Sequence, residues 1–338
     1  TDFSTIAEEL GSALREGGHK GSLRNLLNDM SLCRDSAAGD LRSEPHELCQ
    51  VLTGALYKVM VQMHTALRDE IARQKNVDPV SASGRALFIA GERFKRMIIR
   101  ALDYLPPGEV SFADYGRAII AADQASHPDD LQERAWLVKE FVARCMAKNP
   151  AALHVETNYP SAALQDVDFQ ELVESDWYAY EFANNNRGLL RIPNKVPFEV
   201  VRRLDVRKTY FHRSGREELR ELIFKVWWKQ EEPNRIGPGY PDRRQIVVGS
   251  TLAVDWEKRL VRALLTTGQS RNRGEAVEQR EDRDLLLRKL VREDRLRIGK
   301  SALGPDGREL RSVIKAEATA RLMKVGATAK MLHVLGRV

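Results

Sequence analysis

The chain's 338 residues are long enough for roughly two domains, each with its own core, and 43% hydrophobic and 30% charged residues exclude a disordered or fibrous polypeptide. A surplus of 54 basic over 48 acidic residues, net +6, describes a largely balanced surface and is not by itself a nucleic-acid footprint. No apolar stretch approaches the ~20 residues of a membrane span, no secretory leader pattern opens the chain, and three widely spaced cysteines, Cys33, Cys49 and Cys145, argue against a disulfide framework. From the cysteine usage the expected setting is a reducing compartment, the cytoplasm.

Thr1 in place of Met fits initiator removal, processing or numbering from an internal start. An N-terminal Thr nucleophile is the minor reading, because Thr1 leads into a helical pattern rather than a buried strand. Phe3, Ile6, Leu10 and Leu14 recur at helical spacing up to Gly17-Gly18. A polar stretch from Arg34 to Arg42 precedes Ser43, a candidate N-cap. Leu48, Val51, Leu52, Leu56, Val59, Met60 and Met63 then form the stripe of a long helix running towards Lys75.

A second helix is predicted over Ser83–Leu105, with Leu87, Ala90, Phe94, Met97, Ile98 and Leu102 inward and Pro106-Pro107-Gly108 closing it. Ser111 caps a third, with Asp114 favourable in its first turn, and a fourth spans Asp129 to Lys148. Beyond residue 150 the period changes. Phe198–Phe211 is β-prone, and Leu222–Lys229 alternates to put Phe224, Val226 and Trp228 on one face. Gln245–Trp256 and Leu260–Thr266 read as strands joined at Glu257-Lys258-Arg259. A charged amphipathic helix follows at Asp282–Arg297, then a basic segment over residues 299–338.

Chemistry is suggested first by His46-Glu47-Leu48-Cys49-Gln50. H-E-x-x-H places two imidazoles one helical turn apart on a zinc ion with a glutamate base between them, but Gln50 stands where the second imidazole is needed, and an amide is a poor zinc ligand. The wider context is Ser43-Glu44-Pro45-His46-Glu47, followed by Val51-Leu52-Thr53-Gly54-Ala55-Leu56-Tyr57. Downstream come Tyr104-Leu105-Pro106-Pro107, Val110-Ser111-Phe112-Ala113-Asp114-Tyr115 and Arg117-Ala118-Ile119-Ile120-Ala121-Ala122-Asp123-Gln124. In order and separation, these blocks resemble the C-terminal helical lobe of the thermolysin- and fungalysin-like zinc peptidases, the gluzincins, over about a quarter of the chain.

The resemblance implies that His46 donates a hydrogen bond to the oxyanion of a tetrahedral intermediate, with Asp40 or Glu44 orienting its ring. A donor fixed where negative charge develops commonly contributes about 3 kcal/mol. It also implies that zinc belongs to a full-length parent and not to this chain, which alone is inactive. The expected partners are the N-terminal catalytic lobe of the same protein and a peptide or protein substrate, with no membrane.

The rival reading is a non-catalytic module that binds protein or nucleic acid on a gluzincin-like scaffold. Nucleic acid enters through Trp227-Trp228 between Lys225 and Lys229, where alternation instead makes one Trp core and the other partly exposed. The structural alternative for His46 is a half-exposed helix-start histidine; for Glu47, a favourable charge in the first turn. Gly54, mid-helix, signals close packing. Arg271-Asn272-Arg273-Gly274 is a basic loop, Arg288-Lys289-Leu290-Val291-Arg292 a solvated helix side, and Gly237-Pro238-Gly239-Tyr240-Pro241 a turn cluster without the Lys-Ser/Thr of a phosphate loop. The expected fold is α+β: a mainly helical thermolysin-like C-terminal lobe (1–155), a smaller β-rich domain (156–270), and a charged helical, basic extension (271–338).

Overall fold

The computed structural model describes residues 24–33, 45–74, 77–127, 131–212, 215–233, 235, 237, 243–268 and 273–292, with short strand pieces at 5–6 and beyond 296. The fold is α+β. Its centre is a five-stranded antiparallel sheet made from β3 (Thr157–Pro160), β4 (Phe198–His212), β5 (Gly215–Pro233), β6 (Arg243–Asp255) and β7 (Leu260–Thr266), in the order β3-β7-β6-β5-β4. Strands β4 to β7 are a meander in chain order, and β3 closes the β7 edge. Two further strands, β1 (Thr5–Ile6) and β2 (Arg24–Asn25), pair outside this sheet, so Thr5 and Ile6 lie in a strand and not in the helix expected there.

Four helices cover one face: α1 (Pro45–Ala72), α2 (Pro79–Tyr104), α3 (Phe112–Ser126) and α4 (Leu131–Ala143). Along α1, Val51, Ala55, Val59 and Met63 are buried at steps of four. Asn28 from the segment after β2 crosses this helix so closely that a Cβ on Gly54 would meet its Oδ1 at 2.6 Å. Helix α2 starts earlier than Ser83. Pro79 opens it, and the Asp78 carboxylate accepts from the amides of Val80 and Ser81.

The buried face of α2 matches expectation at Ala90 and Met97, which are buried, and at Phe94 and Ile98, which pack against the core, and differs at the two leucines. Ala82, Ala86, Ala90, Met97, Ala101 and Tyr104 are buried, while Leu87 and Leu102 are 43% and 53% exposed. The sequence offers two apolar stripes. Small alanines let backbones approach closely, and that stripe faces the core, which turns the leucines outward. Helix α3 begins as expected, with a reciprocal capping box between Ser111 and Asp114. It is buried nearly all round, with Ala118, Ile119, Ile120, Ala121 and Ala122 in the core and Asp114, Arg117 and Ser126 buried as polar groups.

The other face of the sheet carries α5 (Phe169–Glu174) and α6 (Asp176–Asn185). Alternation along β5 divides its side chains between the faces. Leu222, Phe224, Val226 and Trp228 pack in the cluster with Phe169, Leu172 and Phe182, whereas Ile223 joins Ala253, Ala263 and Leu265 in the cluster with α1, α3 and α4. One hydrophobic cluster therefore spans the 155/156 boundary.

Polar contacts tie the same joint. Tyr104 donates to Glu221 Oε1 at 2.8 Å, Lys208 pairs with Glu221 Oε2 at 2.7 Å, and Lys225 Nζ donates to the carbonyls of Leu102 and Leu105 at the end of α2. The Pro106-Pro107-Gly108 turn lies on β6. Gly108 has φ 123°, and a Cβ on Gly249 would overlap the Pro107 carbonyl.

Two further expectations are corrected. Cys33 and Cys145 form a disulfide, leaving Cys49 as the free thiol: the segment of residues 24–33 returns to the end of α4, a proximity that a separation of 112 residues conceals. The charged helix, α7, is Arg273–Arg292, so Arg273 and Gly274 are helical and Arg297 lies in a short strand. No described helix is long and apolar enough to cross a membrane.

Candidate functional site

His46 lies in the first turn of α1. Asp40 and Glu44, its candidate orienting carboxylates, and Ser43, the candidate cap, lie outside the described residues. What is defined is the scaffold one to two turns along, at Gln50 and Gly54. The Asn28 amide donates to the Gln50 carbonyl at 3.2 Å, and its Oδ1 accepts from Met30 N and Arg144 Nη1. Arg144 also donates to the carbonyls of Asn28 and Met30, and Cys33–Cys145 locks the same corner. The helix that presents His46 is thus held by a polar knot drawn from three separate parts of the chain.

The second block of the resemblance is more fully determined. The buried Asp114 carboxylate accepts from the Ser111 amide and hydroxyl, from Gly268 N at 3.0 Å and from the Arg117 guanidinium, and Arg117 in turn donates to the Ala152 carbonyl. Every group here is satisfied from within the protein, so the geometry is that of a structural joint between α3 and the end of β7. Among the described residues no group of three or more His, Cys, Asp or Glu could hold a metal ion.

Two places not singled out in the sequence have more chemical character. Arg93, Arg96 and Arg100 lie on one face of α2 and converge with Asp123, Ser126 and His127 at the end of α3 and Glu133 on α4. They line a small crevice of about 20 Å³, room for roughly one water, with Met63 and Met97 also in its lining. Arg93 pairs with Glu133 at 3.1 Å, and Arg100 donates to the Ser126 hydroxyl and the Thr209 carbonyl. Arg96 uses its Nε on the Glu92 carbonyl, while the Glu92 carboxylate is taken by Lys95 at 2.6 Å. Burial and the neighbouring charges of Arg100 and Arg93 hold the Arg96 guanidinium below its usual range.

The second place is Glu109, in the α2–α3 turn near Glu232, Arg244 and Arg283. Glu232 and Asp284 are buried and paired with the two arginines. Burial, reinforced by the Glu232 charge and opposed by Arg283 and Arg244, pushes the Glu109 carboxyl up to about 7. The spacing of Arg93, Arg96 and Arg100 was visible as a basic stripe. Its crevice was not, because the facing wall comes from α3 and α4.

The remaining motifs have plain places. Trp228 is buried at 2% exposure and Trp227 is half-buried with Lys229 over its ring, matching the core-plus-packing reading of the pair. Compared with protein-family models, with curated proteins and with solved structures, the chain has no match in any of the three.

Proposed function

We propose that this chain supplies the C-terminal lobe of a two-lobed zinc peptidase acting on peptide or protein substrates, with the zinc ligands and general base on another lobe of the same protein. The observation that supports it is that the two sequence blocks carrying the gluzincin resemblance fold against each other. Val51, Ala55 and Leu56 of the first share one buried cluster with Ala118, Ile119, Ala121 and Ala122 of the second. His46 then sits at the start of a 28-residue helix anchored by the Asn28 knot, a rigid mount for a donor that must meet a developing oxyanion. The chain's own contribution to the reaction is that hydrogen bond.

The test is the complete reading frame, expressed and assayed for bound zinc and peptide hydrolysis, with His46→Ala beside it. Loss of roughly two to three orders of magnitude in kcat, with zinc content unchanged, is expected for a lost oxyanion donor. A complete protein with neither zinc nor hydrolysis would overturn the reading and leave the rival, a binding module on a gluzincin-like scaffold. For the compartment, the Cys33–Cys145 bridge favours an oxidising setting over the cytoplasm. Thiol titration of unreduced, denatured protein should then find one thiol, Cys49, rather than three.

A further inference from the structure

One face of α2 is apolar and turned to solvent. Val80, Leu87, Phe88, Ile99 and Leu102 are exposed along it, Phe88 at 73%, and no other described helix exposes as many large apolar side chains. Gly84 and Gly91 belong to the same helix, and a Cβ on either would meet nothing within 4 Å. Glycine inside a helix is less favourable than alanine, and unlike Gly54 these two answer to no close approach within the protein. A missing side chain is useful where another body comes down onto the helix backbone. Positions 84, 88, 91, 95, 98 and 102 recur at alternating steps of four and three, the spacing of a two-helix seam.

We propose that this face is a self-association surface, on which α2 pairs antiparallel with α2 of a second copy of this chain about a twofold axis between residues 89 and 90. Such pairing demands a self-complementary face. About that axis position 88 meets position 91 of the second copy, so each Phe88 ring fills the open space over the other's Gly91. Position 84 likewise meets 95, and the Lys95 stem crosses Gly84. Antiparallel helices bring like flanks together, which sets Arg85 level with Glu92 of the second copy to within roughly 3 Å along the helix, twice by symmetry. Arg85 has no ion-pair partner among the described residues, and Glu92 accepts from Lys95 through Oε1 alone, leaving Oε2 for that guanidinium. This charge complementarity selects a second copy over an unrelated apolar partner. A strip as long as the 26 residues of α2, about 39 Å, and about 10 Å wide covers roughly 400 Å² per copy. That is the weak end for specific interfaces, so the dimer is reversible. The proposal makes no use of His46 and stands apart from the peptidase reading.

The experiment is sedimentation equilibrium of the whole chain from about 1 to 500 μM, the range in which a weak dimer dissociates. The variants are Phe88→Glu, Gly91→Ala, Arg85→Glu, Glu92→Arg, the Arg85→Glu/Glu92→Arg exchange, and Leu131→Glu as a control at a similarly exposed leucine on α4. A reversible monomer–dimer equilibrium is expected, weakened roughly tenfold or more in Phe88→Glu and in each single charge reversal, and restored by the exchange. Leu131→Glu should leave it unchanged. Gly91→Ala should raise the urea midpoint of the dilute monomer and weaken the dimer, a split that a glycine serving only the monomer's own packing would not give. A monomer at every concentration, a dimer indifferent to Phe88→Glu, or charge reversals that the exchange does not rescue would each overturn the proposal. A monomer that Phe88→Glu destabilises towards urea overturns it too, and assigns the face to another segment of the same chain. Should Phe88→Glu not fold, the single reversals and their exchange decide.

Discussion

At the scale of single residues, Gly54 is where local propensity and packing pull in opposite directions. In an isolated helix, Gly54→Ala would be favourable by about 1 kcal/mol. Here the new methyl meets Asn28, whose side chain is pinned by its bonds to Asn25, Gln50, Met30 and Arg144 and cannot swing aside without breaking them. The expected outcome is net destabilisation of about 1–3 kcal/mol, measured by urea unfolding, with much of the loss absent in an Asn28→Ala background. Glu109 gives a residue-scale prediction of the opposite chemical kind. Its folded-state pKa is raised, to about 7, so its protonated form is the one the fold favours. Its contribution is fully present below pH 4.5 and is lost as pH rises to about 7. The upper bound is about 3 kcal/mol, less with solvent screening of this half-buried group. Stability of the unaltered protein minus that of Glu109→Gln should therefore fall between pH 4.5 and 7. A flat difference would show that the carboxyl ionises there without cost.

At the scale of elements, the α3 cap separates a terminal interaction from a joint. Ser111→Ala removes one capping oxygen and should cost about 1 kcal/mol. Asp114→Ala removes the partner of the buried Arg117 as well as the acceptor for Gly268, and about 3–5 kcal/mol is expected from the uncompensated charge. Thermal or urea unfolding of the two variants side by side checks the order, and equal losses would mean that Asp114 acts only as a cap. This element was legible in the sequence because a cap is written within four residues. So were β6, β7 and the turn at residues 257–259, where Asp255 Oδ1 accepts from the Glu257 and Lys258 amides. The inward face of α2 was legible at Ala90, Phe94, Met97 and Ile98 but not at Leu87 and Leu102, because the leucine and alanine stripes both have helical period and only the neighbouring helices choose between them. Nor were the Cys33–Cys145 bridge and the arginine crevice, which depend on elements brought together from far along the chain. For His46 the sequence located the start of a helix and nothing of what surrounds the ring.

At the scale of the whole molecule, the open issue is whether the helical lobe and the sheet unfold as one. A domain boundary needs few contacts crossing it. Across 155/156 run a shared hydrophobic cluster, the Lys225 contacts that satisfy the end of α2, and the Tyr104–Glu221–Lys208 network, in which Glu221 is fully buried. Breaking this joint from the sheet side should then be felt throughout the lobe. Lys208→Met leaves the Glu221 carboxylate with the Tyr104 hydroxyl but without its cation, and removing one partner of a buried pair costs about 3–5 kcal/mol. If lobe and sheet are one cooperative unit, native-state hydrogen exchange should show the slowest amides of α1 and α3 losing the same free energy of opening as those of β5 and β6. If only the β5 and β6 amides accelerate, the lobe folds without the sheet, and the shared cluster is an interface between two separate cores. The distinction bears directly on the proposed function, because a lobe that holds its shape alone can mount His46 without help, whereas a lobe that needs the sheet makes the β-rich region part of that mount.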